Sequence, residues 1–592
     1  MTPMRSSVSP VAWRVRAWPV AVLLALAPLW LVGILDRGLW TPDEPREADI
    51  AWRMSQQTDR ALPQLADTPF LEKPPLSYWL SAAGIALFDE ARAPNILYAV
   101  VTALAVGGIG AAMADASVAF VSALLAATLL IAFRASVWLA PDAALLAGCA
   151  VALLGAHRGY VAPPGRGKLL GYTLMHLGAA AGFMAKSAPG WLVPAVALLT
   201  LVAWERKWSE LRRMELYAGL LLQALIILPW IYAVTRSPIG HDALLALFWH
   251  NVVGRFTKVA GPSVLDYTTG HRNWPGKYLF EMPVYLLPWT LLAVAALKHA
   301  WSRVRTAGAA GVSWRFAISA AFPFLLILSI AATARDIYAA PAMLGISLLI
   351  ALWASDSKIS RLDSFALRGT RVLVALIACV FSGFLALLSA GHPPPPYDNS
   401  DVTSRLIALL AAIATLLVAA IALRVAARAQ RQGNVQGSVI CTFGAYAGAF
   451  CVAGIAAFPA VDQWQNLPLL AESVNYQTRG APLGLLDPDE TTIAILDDRL
   501  HTSFFVLDTN GASAGQVVSS WFSAQGKRAR VLVLLPGHAS GSLTQILDRI
   551  HPTRPPGDGT AGTLSANGTA TIVARFELPH GRRYALLAPP SS

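Results

Sequence analysis

Residues 40–75 read WTPDEPREADIAWRMSQQTDRALPQLADTPFLEKPP and lie between a first apolar segment, about Trp18 to Leu35, and a long series of further apolar segments. Counted from Asp36, the stretch to Pro75 holds eight of the chain's 34 carboxylates. Ionisable groups are costly inside a bilayer, so acids gathered beside a membrane span point to function. An acid-rich, arginine-bearing loop punctuated by prolines is where a polytopic enzyme would keep chemistry at a membrane surface. We read it as an active-site loop.

The composition around it supports that frame. The chain has 592 residues, 55% of them hydrophobic and only 14% charged, which is membrane composition. Its net charge of +12 is spread over short loops and is not gathered in an arm or along one helix. That distribution argues against nucleic-acid binding and for membrane topology. Cys149, Cys379, Cys441 and Cys451 all fall in apolar segments without CxxC spacing, so small apolar core residues are a better reading than disulfides or a thiolate metal site.

A span needs roughly 17–25 apolar residues. The rule predicts helices near 18–35, 94–113, 117–134, 141–156, 169–186, 187–204, 215–235, 278–297, 314–333, 337–354, 370–390, 404–423 and 438–458, about 13 in all. Leu76 to Phe88 is too short to cross and reads as a helix lying at the interface. With a cytoplasmic N-terminus, the loops 157–168, 205–215, 298–315, 356–371 and 424–437 face the cytoplasm and all are basic, as the positive-inside rule requires. The turn at Ala114 to Ala116 carries no positive charge. The same alternation puts 36–75, the region of Asp142, the loop 236–281 and everything after about Pro459 outside.

The chain is thus expected to be an α-helical polytopic membrane protein, residues 1–459, with a small soluble α/β domain, residues 460–592. In that domain TTIAIL (491–496) and ARVLVLL (529–535) read as buried strands, and Ser542 to Ile550 as a helix. The domain's polar composition offers no recognisable chemistry, so it is expected to serve acceptor access or stability and not bond formation.

Several groups on the outer side could carry chemistry. Asp43 and Glu44 open a predicted helix, where the bland reading is that they satisfy its N-terminus and dipole. Arg46, Glu47, Glu72 and Lys73 accompany them, the last two pinned by Pro74-Pro75. Asp142 begins an inward-running helix and reads equally well as a cap. Lys186 ends one span and reads by default as a snorkelling lysine. His241, His250, Arg255, Lys258 and Arg272 interleave with aromatics in the loop 236–281, either as an interfacial belt or as a phosphate grip. Arg335-Asp336 with Tyr338 forms a short turn, for which a self-satisfied ion pair is the simplest reading.

These segments together resemble the bacterial membrane glycosyltransferases of the aminoarabinose (lipid A) transferase and protein O-mannosyltransferase type. The resemblance rests on WTPDEPREADIAWRM followed by FLEKPPLSYWL, on LAPDAALL, on AKSAPGWLVP in place of a lysine-glycine motif, and on NVVGRF, GHRNWP and RDIYAAPA, in that order over most of residues 18–355. It implies a GT-C fold and a polyprenyl-phosphate-linked sugar donor. It also implies a lipid (lipid A-like) or protein acceptor on the outer face of the inner membrane.

Within that resemblance Asp43 is the candidate general base, with Glu44 and Asp142 in the catalytic set. Arg46, Lys73, Lys186, Arg255, Arg335 and Tyr338 are candidates to bind the donor phosphate, by stabilising the negative charge that develops on it. Glu72 with His250 could hold a divalent cation acting in the same sense. The rival reading is a transporter or flippase of a lipid-linked substrate, but transporters show inverted repeats and mid-membrane charges, whereas here the charges gather at outer helix ends.

The topology has a direct test. A reporter fused after Leu35 or after Pro459 should be active only in the outer compartment, and one fused within 298–315 only in the cytoplasm. A cytoplasmic signal from the Pro459 fusion overturns both the helix count and the placement of the loop.

Overall fold

The computed structural model describes residues 10–590 apart from 36, 67, 251–272, 332–334, 357–358, 392–400, 500–502, 510–512 and 536–569. Helix α1 (Pro10–Trp30) continues through a π-helical turn to Leu35. The acidic loop then folds into α2 (Glu44–Gln56), a ribbon of two short antiparallel strands, β1 (Gln64–Leu65) and β2 (Thr68–Pro69), and α3 (Leu76–Phe88). Next come α4 (Ala93–Met113), α5 (Ala116–Ala126), α6 (Leu130–Val137), α7 (Pro141–Val161), α8 (Arg166–Lys186) and α9 (Pro189–Glu205). A single turn, α10 (Met214–Tyr217), leads into α11 (Leu220–Thr235) and the short α12 (Gly240–Leu244). The membrane part closes with α13 (Lys277–Tyr285), α14 (Thr290–Arg303), α15 (Gly308–Leu328), α16 (Ala342–Asp356), α17 (Arg361–Ser389), α18 (Val402–Arg431) and α19 (Val435–Gln465).

Among the described residues, helix covers most of each of the 13 expected segments. Among the described residues, eight helices are long and apolar enough to cross a bilayer singly, and up to ten if each of two bent pairs is one span. Both pairs correct the expectation of straight spans, at 117–134, where α5 and α6 meet at 72°, and at 278–297. There α13 and α14 meet at 116°, and Pro288, which has no N–H to donate, sits in the break between them. The other expected border also moves: α19 runs through Pro459 to Gln465 before Asn466 ends it in a left-handed conformation.

Small residues decide how the two central helices meet. Gly148, Gly155 and Gly178 lie so close to the partner backbone that a Cβ on Gly155 would stand 2.1 Å from the Met175 nitrogen, and one on Gly178 2.3 Å from the Ala152 nitrogen. Membrane helices lack a hydrophobic drive to associate and pack through such small surfaces. The pair α7–α8 is therefore drawn together along its length, and the first turn of α7 comes level with the last turn of α8. Asp142 and Lys186 occupy those two turns.

The C-terminal domain begins with α20 (Pro468–Thr478) and builds one five-stranded sheet in the order β4-β3-β5-β7-β6. Strands β3 (Leu483–Leu486), β4 (Phe504–Leu507) and β5 (Arg530–Leu535) run parallel, while β6 (Thr571–Glu577) and β7 (Arg583–Ala588) add an antiparallel edge. Helices α21 (Glu490–Arg499) and α22 (Ala514–Gln525) connect the parallel strands. The strand expected at 529–535 is present. The one expected at 491–496 is instead the body of α21, because Asp489 accepts the Thr492 N–H at 3.1 Å and starts a helix that the β-branched run then continues. The expected helix 542–550 lies outside the described residues.

This domain rests directly on the acidic loop. Ile50, Met54, Leu65, Phe70, Tyr78 and Ala82 form one buried cluster with Ala494 of α21. Each large side chain of that cluster contributes about 1.5–3 kcal/mol through burial. Arg53 reaches Asp497, and Thr491 Oγ1 donates to the Pro42 carbonyl at 2.9 Å. Asp49 is buried at the same junction and accepts the Ala66 N–H at 3.2 Å. Burial, and then the neighbouring Asp497, push its carboxyl well above the ordinary carboxylate range against the pull of Ala66 and Arg53.

A raised carboxyl pKa means the folded protein holds a proton that the unfolded chain releases above about pH 4. The stabilisation is complete below that point and is lost as pH rises through neutrality. Thermal unfolding of the purified protein should therefore show a midpoint that falls between about pH 5 and pH 8. Asp49→Asn should flatten that fall; an unchanged slope in the variant removes Asp49 from the explanation.

Candidate active site

The acids of α2 do not cap it. Asp43 occupies the N-cap position, yet its side chain accepts no capping hydrogen bond. Its Oδ1 instead receives Arg46 at 3.3 Å and Arg335 at 3.2 Å. Both guanidinium groups reach the same oxygen, and Oδ2 carries no donor among the described residues. Asp43 keeps 21% of its side chain exposed, and Arg335 keeps 58%. A carboxylate held from one side with access on the other is suited to taking a proton.

One turn further along, Glu47 lies buried between Arg46 at 2.7 Å and Lys73 at 3.3 Å. Burial raises its pKa, but Lys73 and Arg46 outweigh that and hold it at about 2. The same pairing works in reverse on Lys73, whose pKa is raised by Glu47 and Glu72 despite burial. Glu47 is thus a fixed anion that orders two cations, and a poor proton acceptor.

Glu44 belongs to a different face, which counts against the catalytic role expected for it. Its side chain is fully buried, with its two oxygens 2.5 and 2.6 Å from the Arg37 guanidinium. It also accepts the Trp40 and Leu139 N–H groups, each at 2.8 Å. Arg37 in turn donates to the Val137 carbonyl at 3.0 Å and stacks over Trp40. Glu44 therefore laces the loop to the turn between α6 and α7, and that turn leads directly into Asp142 in the first turn of α7.

Asp142 accepts from Lys186 Nζ at 2.5 Å, and both are nearly buried. Neither bland reading survives: the acid is not spent on a cap, and the lysine does not snorkel to water. Lys186 also lies 4.2 Å from the centre of the Tyr338 ring. Tyr338 and Arg335 follow α15, where Asp336 turns to Lys277 at 2.5 Å and leaves Arg335 to Asp43, so the self-contained Arg335-Asp336 pair is corrected. The fold thus brings Asp43, Arg46, Glu72, Lys73, Asp142, Lys186, Arg335 and Tyr338 to one end of the helical bundle. Arg255 and the side chain of His250 lie outside the described residues.

For a divalent cation, Glu72 is buried beside Lys73 at 3.5 Å. Among the described residues no group of three or more His, Cys, Asp or Glu is placed to hold a metal ion. The metal candidate therefore rests on Glu72 alone within the described part of the chain.

Sequence reasoning passed over four contributors. Arg37 was hidden at the end of a span, although a lone arginine just before a carboxylate-rich loop was a usable signal. Asp462 and Gln465, at the end of α19, bind Gly38, Trp40 and Thr41 of the loop, with Trp40 Nε1 at 2.6 Å from Asp462 and Thr41 Oγ1 at 2.8 Å from Gln465. Glu490 reaches Arg46 from the C-terminal domain. Contacts spanning more than 420 residues leave no local trace in a sequence.

Comparison with known proteins agrees with this architecture. Residues 72–232 match the family described as dolichyl-phosphate-mannose-protein mannosyltransferase. The chain is 29% identical over 394 residues, 65% of its own length and 68% of the relative's, to an undecaprenyl phosphate-alpha-4-amino-4-deoxy-L-arabinose arabinosyl transferase of Pseudomonas paraeruginosa. It is 26% identical over 382 residues, 62% of its length and 65% of the relative's, to the enzyme of that name from Serratia proteamaculans. The crystal structure of ArnT from Cupriavidus metallidurans bound to undecaprenyl phosphate superposes with a TM-score of 0.68 at 20% identity, covering 96% of this chain and 98% of that one. These findings identify a multi-span membrane glycosyltransferase with the GT-C fold, similar in sequence to the aminoarabinose transferases and matching the mannosyltransferase family over residues 72–232.

Proposed function

We propose that this protein transfers a sugar from a polyprenyl-phosphate-linked donor to a lipid A-like or protein acceptor on the outer face of the inner membrane. Undecaprenyl phosphate is the carrier we favour, because it appears in the names of the relatives and in the structural neighbour. One observation carries the reading: Asp43, a partly exposed carboxylate, is held by Arg46 and Arg335 at the end of the bundle where Lys73 and Lys186 also lie. The basic loops support a cytoplasmic N-terminus and an extracytoplasmic C-terminal domain. So does the meeting of the α2, α7, α8 and α15 ends, all of which the predicted alternation puts outside.

In this reaction Asp43 takes the proton of the acceptor hydroxyl as its oxygen attacks the anomeric carbon. The bond from that carbon to the phosphate oxygen breaks, and the polyprenyl phosphate leaves with an additional negative charge. Arg335, the most exposed of the cations, is free to swing onto that phosphate. Lys73 and Arg46, held in place by Glu47, stabilise the growing charge without having to reorganise. Asp142 orients Lys186, and Tyr338 lies against the ammonium.

Feeding a radiolabelled polyprenyl-phosphate sugar to the purified protein tests the proposal. A transferase consumes the donor and labels an acceptor, whereas a transporter returns the donor intact.

The residue assignments separate by variant. Asp43→Asn should lower turnover by about 10²–10⁴ while leaving donor binding and the unfolding temperature near their starting values. Glu44→Gln should instead act on folding, costing about 3–5 kcal/mol by stranding Arg37. Near-normal transfer by Asp43→Asn removes it from the chemistry. Lys73→Ala should weaken donor binding by roughly 10–100-fold, the cost of one charge-assisted contact, and unchanged binding of the donor excludes Lys73 from the phosphate site.

A further inference from the structure

The C-terminal domain delivers a charge to the centre of the site. Glu490 is the first residue of α21, and its Oε2 meets Arg46 Nη1 in a short ion pair. The other end of the same guanidinium, Nη2, is shared by Glu47 at 2.7 Å and Asp43 at 3.3 Å. The delivery is rigid. Arg582 Nη2 binds both oxygens of Asp489, at 2.6 and 2.5 Å, and Asp489 in turn starts α21. Thr492 meets Tyr584 at 3.1 Å, and Thr491 holds the carbonyl of Pro42, the residue before Asp43.

A guanidinium fork closes readily on a carboxylate with two parallel bonds. With Nη1 engaged by Glu490, Arg46 offers Asp43 only one nitrogen. We infer that Glu490, supplied by the C-terminal domain, is a positioning residue of the transfer reaction, which holds the Arg46 fork open so that Asp43 stays available to accept the acceptor's proton. The inference rests on Asp43 being the base. In this role Glu490 acts through Arg46, and its carboxylate also adds a negative charge near the proposed donor-phosphate site.

Loss of the Glu490 charge should therefore damage the chemical step and spare donor binding. In the full-length purified protein, with a radiolabelled undecaprenyl phosphate-linked aminopentose as probe, Glu490→Gln should lower kcat about tenfold or more. Its KM for the donor should stay level or fall. Glu490→Asp should recover most of the lost kcat, because it keeps the charge. Arg53→Gln, which breaks the other ion pair of the same interface, should lower the unfolding temperature and leave kcat unchanged. Wild-type kcat in Glu490→Gln overturns the inference, and so does an equal loss of kcat in Glu490→Gln and Arg53→Gln, which reduces Glu490 to a docking contact. Failure of the unsubstituted protein to consume the probe overturns the functional reading and this inference with it.

Discussion

A charged helix can lie against a low-dielectric interior only if its charges find partners or are neutralised, and Asp43, Glu44 and Glu47 at the start of α2 each find a partner in a different part of the chain. Asp43 takes Arg335 from beyond α15, Glu44 takes Arg37 from the end of the first span, and Glu47 takes Lys73 from the loop's far end. Arg53 reaches Asp497 in the C-terminal domain. Desolvation disfavours each of these ions alone, so the helix is stable only when all its neighbours have arrived. The loop is in this sense the keystone of the bundle, and its chemistry follows from its packing.

The partnership explains a division of labour between adjacent carboxylates. Asp43 and Glu44 are neighbours in sequence, yet one keeps an open face and the other is enclosed on every side. Helical geometry turns consecutive residues by about 100°, so a pair of acids at a helix start is sent to opposite environments. Glu47, a turn later, returns to the side of Asp43, where two cations make it a permanent anion. Lys186 and Asp142 repeat the theme at lower cost, because the glycine-lined contact of α7 and α8 lets their ends meet.

Much of this was legible in the chain. Apolar run length marked most helices of the membrane part, though not α21 or α22, and the concentration of acids marked the loop; the residue types at 43, 46, 73, 142, 186 and 335 then assemble at one place. What escaped were facts that depend on three-dimensional proximity. The sequence pattern put Glu44 in the catalytic set beside Asp43 because periodicity does not reveal which acid meets Arg37. It read TTIAIL as a strand because β-branched residues outweighed a cap at Asp489 whose orientation depends on Arg582. It gave no sign of the ion pair between residues 46 and 490, because that contact exists only in the folded chain.

The hold of Arg582 on Asp489 also orders events in time. A ribosome releases the acidic loop long before it makes α21, and α21 before β7. Through that interval the loop stands with Arg46 and Arg53 lacking their partners from α21, next to a membrane already threaded by the early helices. A chain halted before Arg582 would possess every membrane helix and still lack the strand that aims α21. In such a chain Arg46 and Arg53 of the acidic loop would meet an α21 whose first turn lacks the hold that Arg582 supplies.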